Sequence, residues 1–324
     1  MSLSQAQVDV LQEFEEGLDP RWPERSHIPA EILGYGEIST VFAIEAEGLQ
    51  ELAFKRLPLF LSEKEVAAYQ GTYEEYNRLL GEELGLRLPG HSYASFADRT
   101  GRPIFYIVQR RLPSASIGHK ALHLLPREMV QVLVRRVLQE LRRVWEFNQQ
   151  QERRELGIDG QISNWSVDGF DAQHPSVDET SALTYLDTST PLFRIEGVEQ
   201  LNTELFLRSA PSFLAWILRL FFLEDVVNRY YDFRRVAIDL VANFYKEQRA
   251  DLIQPVLHTV NDFFADEAAE LGIQAIEERE IRSYYREDAL IWTLYLSFRR
   301  FDRFLQTQVL RREYPYILPG KIKR

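Results

Sequence analysis

The sequence predicts an α+β fold in which the strands come first and the helices follow. Strand patterns fill residues 31–112 apart from one helical segment, and helical patterns dominate from residue 113 onward. Because strands and helices occupy separate parts of the chain, we expect an antiparallel sheet beside a helical region, not alternating β-α units. The length of 324 residues suits two lobes that share an interface.

The first part of the chain has helical spacing. Val8, Leu11 and Phe14 recur at three-residue steps within residues 3–17, and three prolines between residues 20 and 29 end the pattern. We therefore predict that residues 1–30 form a helical extension in front of the sheet.

Five strands are predicted next, with turn-forming residues between several of them. Their ranges are about 31–33, 40–46, 52–57, 93–97 and 103–112. The inserted helix covers residues 62–84, where tyrosines and leucines form an apolar stripe. Farther along, the sequence predicts a long amphipathic helix at 126–150, a short strand at 184–186 and a mostly helical region at 199–310.

The composition excludes several classes of site. The chain has no cysteine, which rules out disulfides and sites with cysteine ligands and favours a reducing, cytoplasmic location. Its net charge of −11 disfavours a nucleic-acid partner, because nucleic acids bind basic surfaces. The longest apolar run, Phe213–Leu223, is interrupted by Arg219 and is too short to span a membrane, so we expect a buried helix there.

A glycine-rich segment separates the first two predicted strands. Its pattern is Gly34-x-Gly36-x-x-Ser39-x-Val41. Glycine at such a turn lets the backbone approach phosphate groups because no Cβ intervenes, although glycine turns also occur in ordinary hairpins. Lys55 follows fourteen residues after Val41, in an apolar strand where a lysine needs an anionic partner. From that strand the lysine can reach phosphates that the hairpin holds.

The inserted helix offers a partner for this lysine. Glu75 lies one turn before Leu79 on the apolar stripe, so we predict that it pairs with Lys55. Glu65 and Glu74 are alternatives, and most glutamates on such a helix are simply solvated.

Two later segments carry oxygen ligands. Asp159 and Asn164 stand five residues apart in a predicted loop, where a carboxylate can accept a hydroxyl proton and an amide oxygen can bind Mg²⁺. Asp187 ends the short strand at 184–186, and a carboxylate there can hold Mg²⁺ between ATP phosphates. Each of these residues is also an ordinary turn former, so the prediction depends on the order and spacing of the whole set.

Together these segments resemble the protein-kinase-like superfamily, in particular its small-molecule kinases of the aminoglycoside and choline type. The resemblance implies a bilobal protein-kinase-like fold. An N-lobe at 31–112 would hold a five-stranded antiparallel sheet with one inserted helix, and residues 113–324 would form a mainly helical C-lobe.

The resemblance also implies a role for each site residue. ATP would be surrounded by Gly34, Gly36, Ser39, Val41, Ala53 and Lys55. Lys55, oriented by Glu75, would contact the α- and β-phosphates. Asp159 would be the catalytic carboxylate, and Asn164 and Asp187 would bind Mg²⁺. Asp239 would brace the loop of Asp159 from beneath.

Departures from the family pattern refine this functional prediction. Ser39 replaces the third glycine, Gln161 replaces a basic residue two positions after Asp159, and no protein-kinase activation segment follows Asp187. The last departure favours a small-molecule hydroxyl acceptor over a peptide. We therefore predict an ATP- and Mg²⁺-dependent phosphotransferase. Two alternatives stay open: a pseudokinase that binds nucleotide without transfer, which Gln161 favours, and a kinase-like enzyme that transfers AMP. The sequence does not indicate the oligomeric state.

Overall fold

The computed structural model describes residues 1–36, 38–208 and 227–320 and has the predicted α+β architecture. Five antiparallel strands form one sheet: β1 (Ala30–Tyr35), β2 (Thr40–Ile44), β3 (Leu52–Leu57), β4 (His91–Ala97) and β5 (Pro103–Arg110). Their order across the sheet is β1-β2-β3-β5-β4. The apolar run at 213–223, predicted as a buried helix, lies outside the described residues.

Two helices pack against the sheet and the others follow it in sequence. Helix α1 is Gln5–Gly17, and α2 is Glu63–Arg78, which continues as a π-helical turn over Leu79–Glu83. Within the described ranges, the later helices are α3 (Gly118–Leu124), α4 (Arg127–Gln150), α5 (Glu204–Leu207), α6 (Phe233–Lys246), α7 (Ile253–Asp266) and α8 (Glu278–Phe304). None of the helices in the described ranges is both long enough and apolar enough to cross a membrane.

Two small sheets are formed by the chain between α4 and α5. The first consists of β6 (Arg154–Leu156), β9 (Phe193–Ile195) and β10 (Val198–Glu199). The second is an antiparallel hairpin of β7 (Trp165–Val167) and β8 (Leu183–Tyr185). Of these five strands the sequence predicted only β8, because strands of two or three residues are too short to show a periodic pattern.

Side chains of β5 alternate between the two faces of the large sheet. Tyr106 belongs to the buried cluster that contains Leu11 and Phe14 of α1. Phe105 points to the other face, where its ring centroid lies 5.2 Å from that of Tyr69 on α2. Successive strand residues face opposite sides, so α1 and α2 cover the two faces. The amphipathic stripes that predicted these helices are the surfaces that they bury.

The last described residues return to the sheet. Tyr314 and Tyr316 are buried in the cluster on the α2 side, and Ile317 is buried in the cluster on the α1 side. The predicted C-lobe therefore ends against the predicted N-lobe, a contact that no sequence pattern indicated. The division of the chain at residues 30 and 112 stays a prediction.

A second apolar core holds the helical half together. Helix α4 lies at its centre, with Val130, Leu133, Val134, Val137, Leu138, Leu141 and Val144 all buried. Trp145 at the end of the same helix stacks on Phe233 of α6, with ring centroids 4.4 Å apart. This core supports the loops that carry the polar residues of the candidate site.

A buried ion pair joins α1 to the sheet. The side chains of Arg56 and Glu15 are only 3% and 2% exposed. Two guanidinium nitrogens of Arg56 donate to the two Glu15 carboxylate oxygens at 2.6 and 2.7 Å, and the Tyr106 hydroxyl donates to the same carboxylate. Arg56 also donates to the Pro315 carbonyl oxygen at 2.7 Å. Both charges are satisfied, which is the condition under which buried ions are tolerated.

Replacing Glu15 with alanine is expected to destabilise the protein by about 3–5 kcal/mol, because the Arg56 guanidinium would stay buried without a counter-charge. Urea unfolding followed by tryptophan fluorescence measures this loss. The matched control is Arg153→Ala, which removes an ion pair whose side chains are 75% and 63% exposed and should leave the unfolding midpoint unchanged. A Glu15→Ala midpoint equal to that of the wild type would contradict the prediction.

Candidate active site

The glycine-rich segment forms the turn between β1 and β2, as predicted. Tyr35 pairs with Thr40, and the Gly36 N–H donates to the Ser39 carbonyl oxygen at 3.0 Å. A Cβ added to Gly34 would meet no atom within 4 Å, and Gly34 is not among the glycines with positive φ. Neither packing nor backbone strain therefore requires glycine at position 34. The open space beside it belongs to a cavity.

This first cavity lies between the sheet and the helical half and has a volume of about 390 Å³. Its walls on the sheet side are apolar and include Leu33, Val41 and Ala53. The chain segment 109–112, at the end of β5, runs along its edge. An apolar slot beside exposed backbone suits a flat ring system with a polar edge.

A second cavity of about 240 Å³ adjoins the first and is more polar. It is lined by Ser39, Asp159, Gln161 and Asn243, among others. Both cavities share a set of lining residues: Tyr35, Gly36, Lys55, Ser163, Asn164, Asp187 and Lys246. Apart from Glu75, each residue predicted from the sequence to form the site lines one cavity or both.

Lys55 forms the central contact between the two halves of the molecule. Its ammonium donates to Asp187 Oδ1 at 2.7 Å and to the Ser189 hydroxyl at 2.5 Å. The two charged side chains are 16% and 26% exposed, so the pair is largely shielded from solvent. Burial by itself would raise the pKa of Asp187, but the Lys55 ammonium and the Ser189 hydrogen bonds hold that pKa below its usual value.

The structure does not contain the predicted ion pair between Lys55 and Glu75. Glu75 instead accepts two hydrogen bonds from Arg78, at 2.9 Å each, on the outer side of α2. The two alternatives also fail, because Glu65 pairs with Arg208 at 2.6 Å and Glu74 accepts from a glutamine on its own helix. Asp187, and not the predicted helix glutamate, forms the ion pair with Lys55.

Helix α2 contacts the site through tyrosines. The Tyr69 hydroxyl donates to the Ser189 carbonyl oxygen at 2.7 Å, two residues after Asp187. The Tyr76 hydroxyl donates to the Gly157 carbonyl oxygen at 2.8 Å, two residues before Asp159. Both tyrosines are buried. These neutral hydrogen bonds hold the helix against the two loops on which the site depends.

The β7–β8 hairpin brings two predicted metal ligands to one place. Asn164 precedes β7 and Asp187 follows β8, and the Leu186 N–H donates to the Asn164 carbonyl oxygen at 2.8 Å. Antiparallel pairing therefore places residues that are far apart in sequence at the same end of the hairpin. The intervening residues, 168–182, form a long hairpin loop.

Asp159 lies in the loop between β6 and β7, with its side chain half-buried. The Gln161 N–H donates to Asp159 Oδ1 at 3.0 Å, and the Asn164 amide donates to the Asp159 carbonyl oxygen at 3.3 Å. Burial together with the neighbouring carboxylates of Asp239 and Asp187 raises the pKa of Asp159. Its carboxylate is thus a better proton acceptor than a solvated aspartate.

Helix α6 supports this loop from below. Asp239 is buried and accepts from the Gln161 amide at 3.1 Å, so the bracing contact that the resemblance implied runs through Gln161. Lys246 donates to the other end of that amide at 3.3 Å. Sequence reasoning missed Lys246 and Asn243. The available signal was the spacing of Asp239, Asn243 and Lys246, which places three polar side chains on one face of a helix that is mostly apolar after its first turn.

Two oxygen atoms at the boundary of the cavities suit a divalent cation. Among the described residues, the second carboxylate oxygen of Asp187 and the amide oxygen of Asn164 have no hydrogen-bond donor. The same part of the chain holds no cluster of three or more acidic or histidine side chains that could bind a metal on its own. Mg²⁺ often takes one or two protein oxygens and completes its shell with phosphates and water. The pair therefore fits Mg²⁺ that arrives with a nucleotide.

Comparison with known proteins gives a family and distant structural likenesses. A family model described as "Family of unknown function (DUF6206)" matches residues 24–303. No curated protein matches the sequence significantly. The solved structure of WaaP in complex with acyl carrier protein is 13% identical, with a TM-score of 0.33, and the match covers 80% of this chain and 90% of that one.

A second solved structure is the GDP complex of wild-type aminoglycoside 2'-phosphotransferase-IIIa. It is 11% identical, also with a TM-score of 0.33, and the match covers 76% of this chain and 95% of that one. Likenesses at this distance carry no argument about activity, which must come from the residues of the site.

The position of α2 gives a test of the corrected contacts. Tyr69→Phe is expected to cost about 1–3 kcal/mol of folding free energy, because the buried Ser189 carbonyl oxygen loses its donor. Glu75→Ala, on the same helix, should stay within about 0.5 kcal/mol of the wild type, since it removes only a half-exposed pair. Urea unfolding of both variants measures the difference. A larger loss for Glu75→Ala than for Tyr69→Phe would mean that the assignment of these contacts is wrong.

Proposed function

We propose that this chain, which belongs to the DUF6206 family, is an ATP- and Mg²⁺-dependent phosphotransferase that acts on a small-molecule hydroxyl. The observation that carries the proposal is the convergence of Lys55, Asp159, Asn164 and Asp187 on two adjoining cavities. These residues come from separate segments, and chance motif matches would have no reason to meet. The α+β architecture is also the one that the protein-kinase-like resemblance implies.

The first cavity suits the base and sugar of ATP. Its volume of about 390 Å³ lies in the range of small-molecule sites, and Leu33, Val41 and Ala53 offer an apolar wall to a purine ring. Since the N–H groups of Arg110 and Arg111 already donate to the Gly90 and Glu51 carbonyl oxygens, the edge of the base would be bound by the other backbone groups of residues 109–112. The absence of a side chain at Gly34, which packing does not require, leaves room for the nucleotide to lie close to the hairpin.

The phosphates would extend from the first cavity into the second. Lys55 lies at the boundary and would neutralise charge on the phosphate chain. Asp187 and Asn164 would hold Mg²⁺, which when bound spreads negative charge that develops on the phosphate oxygens. In this arrangement catalysis comes from positioning and charge neutralisation more than from covalent chemistry.

Asp159 would act on the acceptor. Its carboxylate takes the proton of the acceptor hydroxyl as the acceptor oxygen bonds to the γ-phosphorus. The bond between that phosphorus and the oxygen that bridges to the β-phosphorus breaks, and ADP leaves. Tyr230, Asn243 and Trp292 also line the second cavity, which at about 240 Å³ has room for a small molecule and not for a folded substrate.

Removing the charged groups should stop the reaction. Asp187→Ala is expected to abolish ATP-dependent transfer, and Lys55→Ala to reduce it by about 10²-fold or more, because each removes charge stabilisation at the phosphates. ADP release with a panel of small hydroxyl compounds measures the effect. Lys64→Ala, which removes an exposed lysine from the first turn of α2, is the control and should retain wild-type rates. Wild-type turnover by both site variants would refute the proposal.

Labelled ATP distinguishes the proposal from its alternatives. Transfer of label from the γ-position to an acceptor is the expected result, because Lys55, Asn164 and Asp187 converge where the phosphate chain would enter the second cavity. Transfer of an α-label would show AMP transfer. Stabilisation by Mg·ATP in a thermal-shift titration, with no transfer of either label over the whole panel, would show a pseudokinase.

A further inference from the structure

We infer that Lys246 forms a second phosphate subsite, which binds the terminal phosphate of a nucleotide or polyphosphate on the side of the cavity opposite Lys55. The inference rests on the proposed function and deepens it. It identifies Lys246 as the cation that takes over from the basic residue that Gln161 replaces. Three features of the described residues support it: the position of Lys246, the way its ammonium is held, and the balance of charge around it.

Lys246 is positioned at the boundary of the two cavities. It is the last residue of α6, it is half-buried, and it lines both the apolar cavity and the polar one. Lys55 lines the same two cavities from β3. The two lysines therefore reach the shared boundary from the sheet and from the helical half, so both ammonium groups can bind one phosphate chain.

The Gln161 amide orients the Lys246 ammonium. The amide nitrogen of Gln161 donates to Asp239 Oδ2 at 3.1 Å, and the amide oxygen accepts from Lys246 Nζ at 3.3 Å. An ionised carboxylate can only accept hydrogen bonds, so Asp239 fixes which end of the amide faces Lys246. Gln161 is two residues from Asp159, so the ammonium is attached to the loop that would present the acceptor.

The ammonium of Lys246 is held less tightly than that of Lys55, so it can turn to an anion at lower cost. Lys55 is paired with Asp187 at 2.7 Å. Within the described ranges, no carboxylate forms an ion pair with Lys246, although Asp239 and Glu247 lie close enough to feel its charge. A half-buried ammonium whose contact is one long hydrogen bond to a neutral amide gains strongly from a charged acceptor.

The charge around the second cavity also favours a cation beside a bound phosphate. Asp159, Asp187 and Asp288 line it, and among its lining residues in the described part of the chain only Lys55 and Lys246 are cations. A terminal phosphate brought beside three carboxylates would be repelled by them. Lys55 and Mg²⁺ held by Asp187 and Asn164 would offset part of this repulsion, and Lys246 is the remaining lining cation in the described part of the chain that can do so.

The subsite also changes the meaning of Gln161. A glutamine in place of a basic residue favours a pseudokinase only if no cation occupies that space. In the structure Gln161 instead carries the ammonium of a lysine 85 residues away. The loop of Asp159 therefore has no basic residue at position 161, but its Gln161 side chain holds the ammonium of Lys246 on α6.

The test compares ligands that differ in their terminal phosphate. Lys246→Met keeps the length of the side chain and removes its charge. It is expected to weaken binding of Mg·ATP by about tenfold or more, the effect of one charge-assisted hydrogen bond, and to change Mg·ADP affinity by less than about twofold. Lys120→Met, which removes an exposed lysine from α3, should change neither. Calorimetric titration with ATP, ADP and tripolyphosphate provides the affinities.

A rescue variant separates a charge effect from a structural one. Adding Gln161→Lys to Lys246→Met returns an ammonium to the same space and should restore the preference for ATP over ADP. Equal losses of ATP and ADP affinity, or no rescue, would overturn the inference while the proposed function stands. Tripolyphosphate binding that depends on Lys246 in a protein that does not bind ATP would support the subsite and refute the proposed function. Binding of neither ligand by the wild type would overturn both.

Discussion

The ion pair between Lys55 and Asp187 is the contact on which the arrangement of the site depends. One partner belongs to the sheet and the other follows the β7–β8 hairpin of the helical half, so the pair sets the distance between them. Neither charge would be stable in this shielded position alone. The hydroxyls of Tyr69 and Tyr76 hold α2 against the loops that carry Asp187 and Asp159. These contacts fix the sheet relative to the loops of the helical half, and the apolar and the polar cavity adjoin there.

Local patterns were sufficient for the sheet and its helices. Strand β3 is predicted at its observed bounds, Leu52–Leu57, because the pattern of its own residues is enough to indicate a strand. The same approach misses β6 and β9, which have three residues each and exist because they pair with each other across a long stretch of chain. It also misses the return of Tyr314 and Tyr316 to the sheet, since an aromatic segment gives no local sign of the surface that it will cover.

The site shows the same division between local and tertiary information. Asp159, Asn164 and Asp187 follow from motif order, whereas the hairpin that unites two of them depends on the pairing of β7 with β8. The predicted pairing of Glu75 with Lys55 was wrong. Which glutamate faces the lysine depends on how α2 is rotated about its axis against the sheet, and an apolar stripe defines that rotation only coarsely. The apolar face of that helix includes the tyrosines whose hydroxyls donate to the loops of Asp187 and Asp159. Lys246 lies too far along the chain for any motif centred on Asp159 to include it.

The return of the chain to the sheet has a consequence for how the protein is made. Arg56 donates to the Pro315 carbonyl oxygen across 259 residues of sequence. The sheet is synthesised before residues 314–317, yet both of its faces receive side chains from that segment. Part of its apolar surface therefore stays uncovered until that segment has been synthesised. Removing residues 314–318 would uncover the interior of the sheet and not merely shorten the chain.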